Sequence, residues 1–237
     1  AEIRRHPWMT SGSPLTAILF CSKLRSRLAY PPMRRLLSLC YTARSVAQMD
    51  GDDMKMDVKA RLIEIVGERS LITGKEMTLT SGATSRFYFD MKPTTFDGEG
   101  ATIIGDMLLD AIESREVDYV AGLEMGALPV VMAAVLRGRE RGHALDGFCV
   151  RKEPKGHGTR RLVERELGPG AKVVVVEDVT TTGGSALKAA EAVREVGGEV
   201  SLAVTVVDRL EGTRAMLSEH GLELIALIEA SDFDTSS

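Results

Sequence analysis

Apolar residues along this chain switch between two periods, and the switching predicts alternating helices and strands. From Met56 to Glu68, the apolar side chains Val58, Leu62, Ile65 and Val66 recur at helical spacing. Met77 to Thr80 and Arg86 to Asp90 read as short strands, the second stopped by the breaker Pro93. A helix over Thr102 to Ser114, an apolar strand over Val117 to Leu123 and a helix from about Pro129 to Arg139 follow. The next strand is Gly147 to Val150. Arg151 to Gly170 is polar and carries several Gly and Pro, the composition of a long loop. Val173 to Val176 are four consecutive β-branched residues, a buried strand, and Ala186 to Val196 returns to the helical period. Further on come a strand over Val200 to Val207, a helix near Thr213 to His220 and a strand over Leu222 to Ile228. Strands alternating with helices imply an α/β fold, a mostly parallel central sheet with helices on both faces. Ligands of such sheets bind beyond the carboxyl ends of the strands. The segment after Val176, Arg151 and the pair Asp208-Arg209 all fall there, so they should converge on one site.

Length and charge refine this picture. The 237 residues suffice for one α/β domain with some excess, and 44% apolar content with few aromatics predicts an aliphatic core. Cys21, Cys40 and Cys149 share no metal-ligand spacing, and their odd number argues against a disulfide framework, so a reducing compartment fits. Cys149 lies in an apolar run and reads as a small buried hydrophobe. Residues 1–50 carry eight Lys/Arg against two acids, a net of +6. The rest has 22 against 32, a net of −10, and together these make the −4 of the chain. We therefore divide the sequence into a basic N-terminal extension, 1–52, and a folded domain, 53–237. Three readings fit the extension: an organelle-targeting peptide, a basic arm for nucleic acid, or non-native sequence translated from an upstream start. Met54 and Met56, just ahead of a clean amphipathic helix, favour the third. The apolar stretch Leu15 to Cys21 is too short for a bilayer, which needs about 20 residues. No membrane partner is expected, and a cytoplasmic location is, with import through residues 1–52 left open.

The chemistry concentrates in Val173 to Ser185, VVVVEDVTTTGGS. Glu177 and Asp178, at the end of the strand, suit two vicinal ribose hydroxyls. The following turn, Val179 to Ser185, offers backbone N–H groups to a dianion at a helix N-terminus, together with the hydroxyls of Thr180, Thr181, Thr182 and Ser185. Gly183 and Gly184 supply unusual backbone angles and close approach. An ordinary strand-turn-helix connection is the alternative, but paired acids before six consecutive hydroxyl or glycine residues exceed what a connection needs. No Lys follows the glycines, so this is not a Walker A loop, and no G-x-G-x-x-G is present for a dinucleotide. A second segment, Arg151-Lys152-Glu153-Pro154-Lys155-Gly156-His157-Gly158, sets three cations and a His within seven residues. Alone it would read as a solvated basic loop. Leaving a strand adjacent in sequence to the sugar-phosphate motif, it suits a highly anionic leaving group.

Val173 to Ser185 resembles the phosphoribosyl diphosphate (PRPP) motif of the type I phosphoribosyltransferases. The R-K-E-x-K-x-H-G pattern resembles the catalytic loop of the orotate-using members of that family. Leu79 to Asp90 is similar to their N-terminal orotate-binding hairpin, with Tyr88 and Phe89 at the positions that flank the pyrimidine. Gly122 to Pro129 resembles their pyrophosphate-contacting turn, and Val207-Asp208-Arg209 the segment whose Arg binds the orotate carboxylate. Together these cover roughly Met56 to Ile228. Three positions depart from the pattern: Thr80 stands where many relatives carry Lys, Gly126 where some do, and Glu177 where many carry Asp.

The resemblance implies a type I fold with an N-terminal hood hairpin and the reaction of orotate with PRPP to orotidine 5′-monophosphate and diphosphate. It implies that Glu177 and Asp178 hold the ribose and that Val179, Thr180, Thr181, Thr182, Gly183, Gly184 and Ser185 seat the 5′-phosphate. Thr181 would also lie near the pyrimidine. Arg151, Lys152, Lys155 and His157 would attend the departing diphosphate, with Lys155, His157 and Asp178 as the catalytic residues and Tyr88, Phe89 and Arg209 on orotate. Mg²⁺, held mainly by PRPP, is the implied cofactor. The implied assembly is a homodimer whose cationic loop reaches the partner's site. Two other readings are a non-catalytic PRPP-binding regulator of the same fold and a purine phosphoribosyltransferase. The first does not need a leaving-group loop, and the −10 of residues 51–237 argues against a nucleic-acid partner. The hairpin disfavours the second.

Overall fold

Two interleaved sets of valines in one strand organise the fold. In the computed structural model, which describes residues 51–78, 84–153 and 162–233, β5 (Lys172–Thr180) turns Val173 and Val175 to one face and Val174 and Val176 to the other. Successive strand side chains point to opposite faces, so a run of four valines demands cover on both. Helices supply it. On one face lie α1 (Gly51–Arg69), α3 (Gly98–Ile112) and α4 (Ala127–Glu140), which bring Leu62, Val66, Ile104, Leu108, Val130 and Val131 against Val174 and Val176. On the other lie α5 (Gly184–Glu195) and α6 (Thr213–Glu219), whose Ala189, Val193 and Leu217 meet Val173 and Val175. Each fully buried valine stabilises the fold by about 1.5–3 kcal/mol relative to exposure.

The central sheet has five parallel strands in the order β4-β3-β5-β6-β7, with β3 (Tyr119–Leu123), β4 (Asp146–Val150), β6 (Glu199–Asp208) and β7 (Glu223–Glu229) around β5. A separate antiparallel hairpin pairs β1 (Leu71–Thr78) with β2 (Thr84–Phe89). All of this belongs to one compact unit, Lys55–Ser237. Among the described residues, no helix is long and apolar enough to cross a membrane.

The predicted α/β architecture and hairpin are present, and boundaries differ for local reasons. β1 begins six residues before the predicted Met77, because Gly74 at φ +80° and a register shift between Thr73 and Met77 interrupt its alternation. Pro93 ends the second strand as predicted, but it also opens a short helix, α2 (Lys92–Thr95), where its fixed φ fits the first turn. α3 starts at Gly98 rather than Thr102, since the Asp97 carboxylate accepts the N–H groups of Glu99 and Gly100 at 3.1 and 3.0 Å. Such a cap is worth about 1 kcal/mol. The long polar loop is not wholly irregular: its returning limb makes an antiparallel bridge, Val163 to Val150.

Candidate active site

The carboxyl ends of β5 and β6 meet the hairpin around a cavity of about 450 Å³, within the usual range of ~300–1,000 Å³ for ligand sites. Tyr88, Phe89, Lys152, Glu177, Asp178, the turn from Val179 to Ala186, and Arg209 line it. The sequence-predicted sugar-phosphate residues thus all face one space.

The floor is acidic. Glu177 is 6% exposed and its Oε1 has no hydrogen-bond partner among the described residues. Burial pushes its carboxyl well above the usual range, the neighbouring Asp178 adds to this, and Lys152 opposes it. Burial also raises the Asp178 carboxyl, against the pull of the Val179 N–H, which donates to Oδ1 at 3.0 Å, and of Lys92 nearby. Removing carboxylates from water disfavours their charged form, and a ligand that donates O–H groups or brings positive charge restores it. Gly126 seats Asp178: a Cβ there would lie 2.5 Å from Oδ2 and 2.6 Å from Oδ1. A bare glycine in the turn after β3 therefore allows the carboxylate to rest on the backbone.

The far wall is a phosphate-type turn. Gly183, at φ +83°, precedes α5, and among the described residues no side chain caps the helix. The first N–H groups of α5 are thus left for an anion, as at any uncapped helix N-terminus. Glycine is required at 183 for space as well as angle, because a Cβ would meet Met216 at 2.5 Å and Thr213 at 2.9 Å. Thr213 Oγ1 donates to Thr181 O at 2.7 Å and holds the turn from behind. Thr180 is 3% exposed, and its Oγ1 has no hydrogen-bond partner among the described residues.

Arg209 enters from the end of β6. Its N–H donates to Thr180 O at 3.0 Å, and the preceding Asp208 accepts the Leu210 N–H at 2.9 Å, tightening the turn. The guanidinium lies 4.5 Å from the centre of the Phe87 ring and pairs with Glu211 at 2.8 Å. Stacking on an aromatic face holds a planar cation without consuming its in-plane donors.

The remaining predicted residues separate. Tyr88 is 40% exposed at the cavity, whereas Phe89 is 3% exposed and packs its ring against Phe87 and Phe233. Strand alternation explains this, since adjacent residues cannot both face the cavity fully. Lys152 lines the cavity, but the Arg151 guanidinium turns to Glu164 at 3.1 Å. Lys155 and His157 lie outside the described residues, as does Thr80. Cys149 is half-buried and burial raises its thiol, as expected of an inert cysteine. Sequence reasoning missed Phe87 under Arg209, Lys92 beside Asp178, and Glu124, which accepts the Lys152 N–H at 2.9 Å. Alternation puts Phe87 on the face of Phe89, opposite Tyr88, so only the fold shows its ring under Arg209. The other two depend on contacts between distant segments.

With this geometry in hand, comparison with known proteins is specific. Residues 98–219 match the phosphoribosyl transferase domain family. The orotate phosphoribosyltransferase of Bradyrhizobium sp. (strain ORS 278) is 48% identical over 179 residues, covering 74% of this chain and 96% of that protein. The structure of Mycobacterium tuberculosis H37Rv orotate phosphoribosyltransferase in complex with PRPP superposes with a TM-score of 0.62 at 34% identity, covering 74% of this chain and 98% of that one. The enzyme of the same name from Aeropyrum pernix gives 0.62 at 33% identity, covering 72% and 94%.

Proposed function

The chain belongs to the orotate phosphoribosyltransferases, within the phosphoribosyl transferase domain family. On that premise we infer that it transfers ribose 5-phosphate from PRPP to orotate, giving orotidine 5′-monophosphate and diphosphate. The observation that carries this is the gathering of an acid pair, an uncapped helix N-terminus and a stacked arginine around one cavity.

Each wall has a role in the transfer. Glu177 and Asp178 take the ribose hydroxyls, and their negative charge favours the cationic character that C1 acquires as the diphosphate departs. The turn from Val179 to Ser185 seats the 5′-phosphate on its N–H groups and hydroxyls. Orotate lies between Tyr88 and Thr181, with its carboxylate on Arg209 and Phe89 backing the hairpin from the core. Lys152 faces the acid pair from the cationic loop, and Arg151, Lys155 and His157 attend the diphosphate from the same loop. Catalysis is assigned to Lys155, His157 and Asp178.

Among the described residues, no group of three or more His, Cys, Asp or Glu gathers to hold a metal ion. The two acids of the floor fit an Mg²⁺ carried largely by diphosphate oxygens and water, to which Asp178 and Glu177 lend charge. Bound there, Mg²⁺ would neutralise the leaving group. Exposed Met132 and Leu136, one turn apart on α4, with Met125 in the preceding turn, support a homodimer; that the cationic loop reaches the partner's site is our reading from the family resemblance. The net −10 of residues 51–237 supports small-molecule substrates rather than nucleic acid, and we place the enzyme in the cytoplasm. Residues 53–237 form the catalytic domain, and 1–52 are an extension outside it.

The test is the loss of orotate absorbance in the presence of PRPP and Mg²⁺. Turnover is expected with orotate. Turnover with a purine base and none with orotate would sink the assignment.

A further inference from the structure

Lys152 is held in the site by its backbone. Leu123 and Val150 are the last paired residues of the β3–β4 ladder, so Glu124 stands opposite Arg151. In a continued parallel ladder, Glu124 would give its N–H to Val150, and its carbonyl would accept the N–H of Lys152. The first bond is present, at 2.8 Å. The second is made by a different atom: the Lys152 N–H donates to Glu124 Oε1 at 2.9 Å. The carboxylate takes over the rung that the turn from Glu124 to Gly126 withdraws. On the opposite side of the same residue, Lys188 Nζ, on α5, donates to Lys152 O. Both polar groups of the Lys152 backbone are therefore held by charged side chains. One comes from the turn under Asp178 and the other from the helix whose N-terminus walls the cavity. Arg151 N–H on Leu162 O at 2.9 Å and the Val150–Val163 bridge complete the stem.

Neither Glu124 nor Lys188 lines the cavity, whereas Lys152 does, and its charge acts on Glu177. Hydrogen bonds with one ionised partner are roughly twice as strong as neutral ones. An exposed lysine also loses rotamer freedom when fixed on a carbonyl. Two such bonds fix the peptides on both sides of the Lys152 Cα, and their common effect is to set the direction of the Lys152 side chain. We propose that Glu124 and Lys188 are positioning residues that clamp the Lys152 backbone, on both sides of its Cα, between the Glu124–Gly126 turn and α5. Through that backbone they set the Lys152 ammonium against PRPP. The proposal rests on the reading that this cavity takes PRPP.

Calorimetric PRPP binding and steady-state kinetics test it on Glu124→Ala, Glu124→Gln, Lys188→Ala, Lys152→Ala and the double variant Glu124→Ala/Lys152→Ala. Glu124→Ala is expected to weaken PRPP binding about tenfold, the ratio carried by one hydrogen bond to a charged group, with the KM for orotate unchanged. Lys188→Ala should shift PRPP binding in the same direction by less. Glu124→Gln keeps an acceptor oxygen and should recover most of the affinity. Because Glu124 acts through Lys152, the double variant should lose no more than Lys152→Ala alone. A contact that serves only folding would instead lower the melting temperature and leave PRPP affinity at the wild-type value. That result, or losses that multiply in the double variant, overturns the clamp. Wild-type protein that binds PRPP but consumes no orotate would sink the orotate assignment and leave the clamp standing.

Discussion

The two ends of the parallel sheet carry cavities of nearly equal size and opposite chemistry. At the amino ends of the strands, about 460 Å³ is bounded by Arg115, Glu116, Lys172, Arg194 and Glu199 among others. Four of these five charges are already answered. Lys172 pairs with Glu116, Arg115 with Glu223 at 2.8 Å, and Arg194 donates to the carbonyls of His220 and Val200. At the carboxyl ends, about 450 Å³ is bounded by groups that the described residues leave unanswered, Glu177 Oε1 and Thr180 Oγ1. A buried polar group without a partner costs about 1–3 kcal/mol, whereas exposed ion pairs contribute about 0–1 kcal/mol. Volume does not distinguish a site from a crevice here. Polar capacity held in reserve does.

Several substitutions would break or sharpen that contrast. The largest effect is expected from Asp178→Asn, which keeps the shape and removes the charge at the ribose. It should lower kcat/KM for PRPP by about 100-fold, equivalent to ~2.7 kcal/mol. A variant within threefold of wild type would remove Asp178 from the mechanism. Lys155→Ala should lower kcat by about tenfold or more, as expected of a cation aimed at developing charge. Wild-type turnover would reject its catalytic role. Gly126→Ala pushes a methyl into the Asp178 carboxylate and should raise the KM for PRPP about tenfold, equivalent to ~1.4 kcal/mol. An unchanged KM would mean that the carboxylate tolerates displacement.

The fourth substitution concerns pH. The folded-state pKa of Glu177 is raised above its unfolded value, so the folded chain binds more protons than the unfolded chain between the two. Stability therefore falls as pH rises through that interval and is fullest below the unfolded value. Glu177→Gln removes this penalty. It should raise Tm at pH 8 by about 2–4 °C, the shift that ~1 kcal/mol gives in a domain of this size. The gain should vanish near pH 4, while PRPP binding weakens. A melting temperature that follows the wild type at both pH values would show that the acid is not held against its ionisation. The smallest effect belongs to the amino end. Lys172→Ala removes an exposed pair and should leave kcat and both KM values unchanged. A loss of activity there would erase the distinction between the two cavities.

Much of this was legible before any coordinate. Four consecutive valines call for cover on both faces of a strand, and two acids followed by a Thr/Gly turn mark its carboxyl end as a phosphate site. These are local features, written in adjacent residues, and the structure keeps them together. Phe89 shows the limit. The sequence places two aromatics side by side, but pleating sends one of them into the core against Phe233, which lies far along the chain. Arg151 shows it again: its neighbour Lys152 faces the cavity while its own guanidinium answers Glu164.

By itself, then, the sequence determined the element order, the parallel sheet, the end of it that carries the candidate site, and the class of ligand that site suits. Each follows from periodicity and from residue types within a few positions of one another. Only the tertiary structure decided which carboxylate rests on Gly126, which ring carries Arg209, and that Glu124 and Lys188 hold the Lys152 backbone on both sides of its Cα. Those are meetings of segments 28 to 52 residues apart in the case of Glu124 with Lys152 and of Gly126 with Asp178. Their outcome depends on register and packing, which no local pattern encodes.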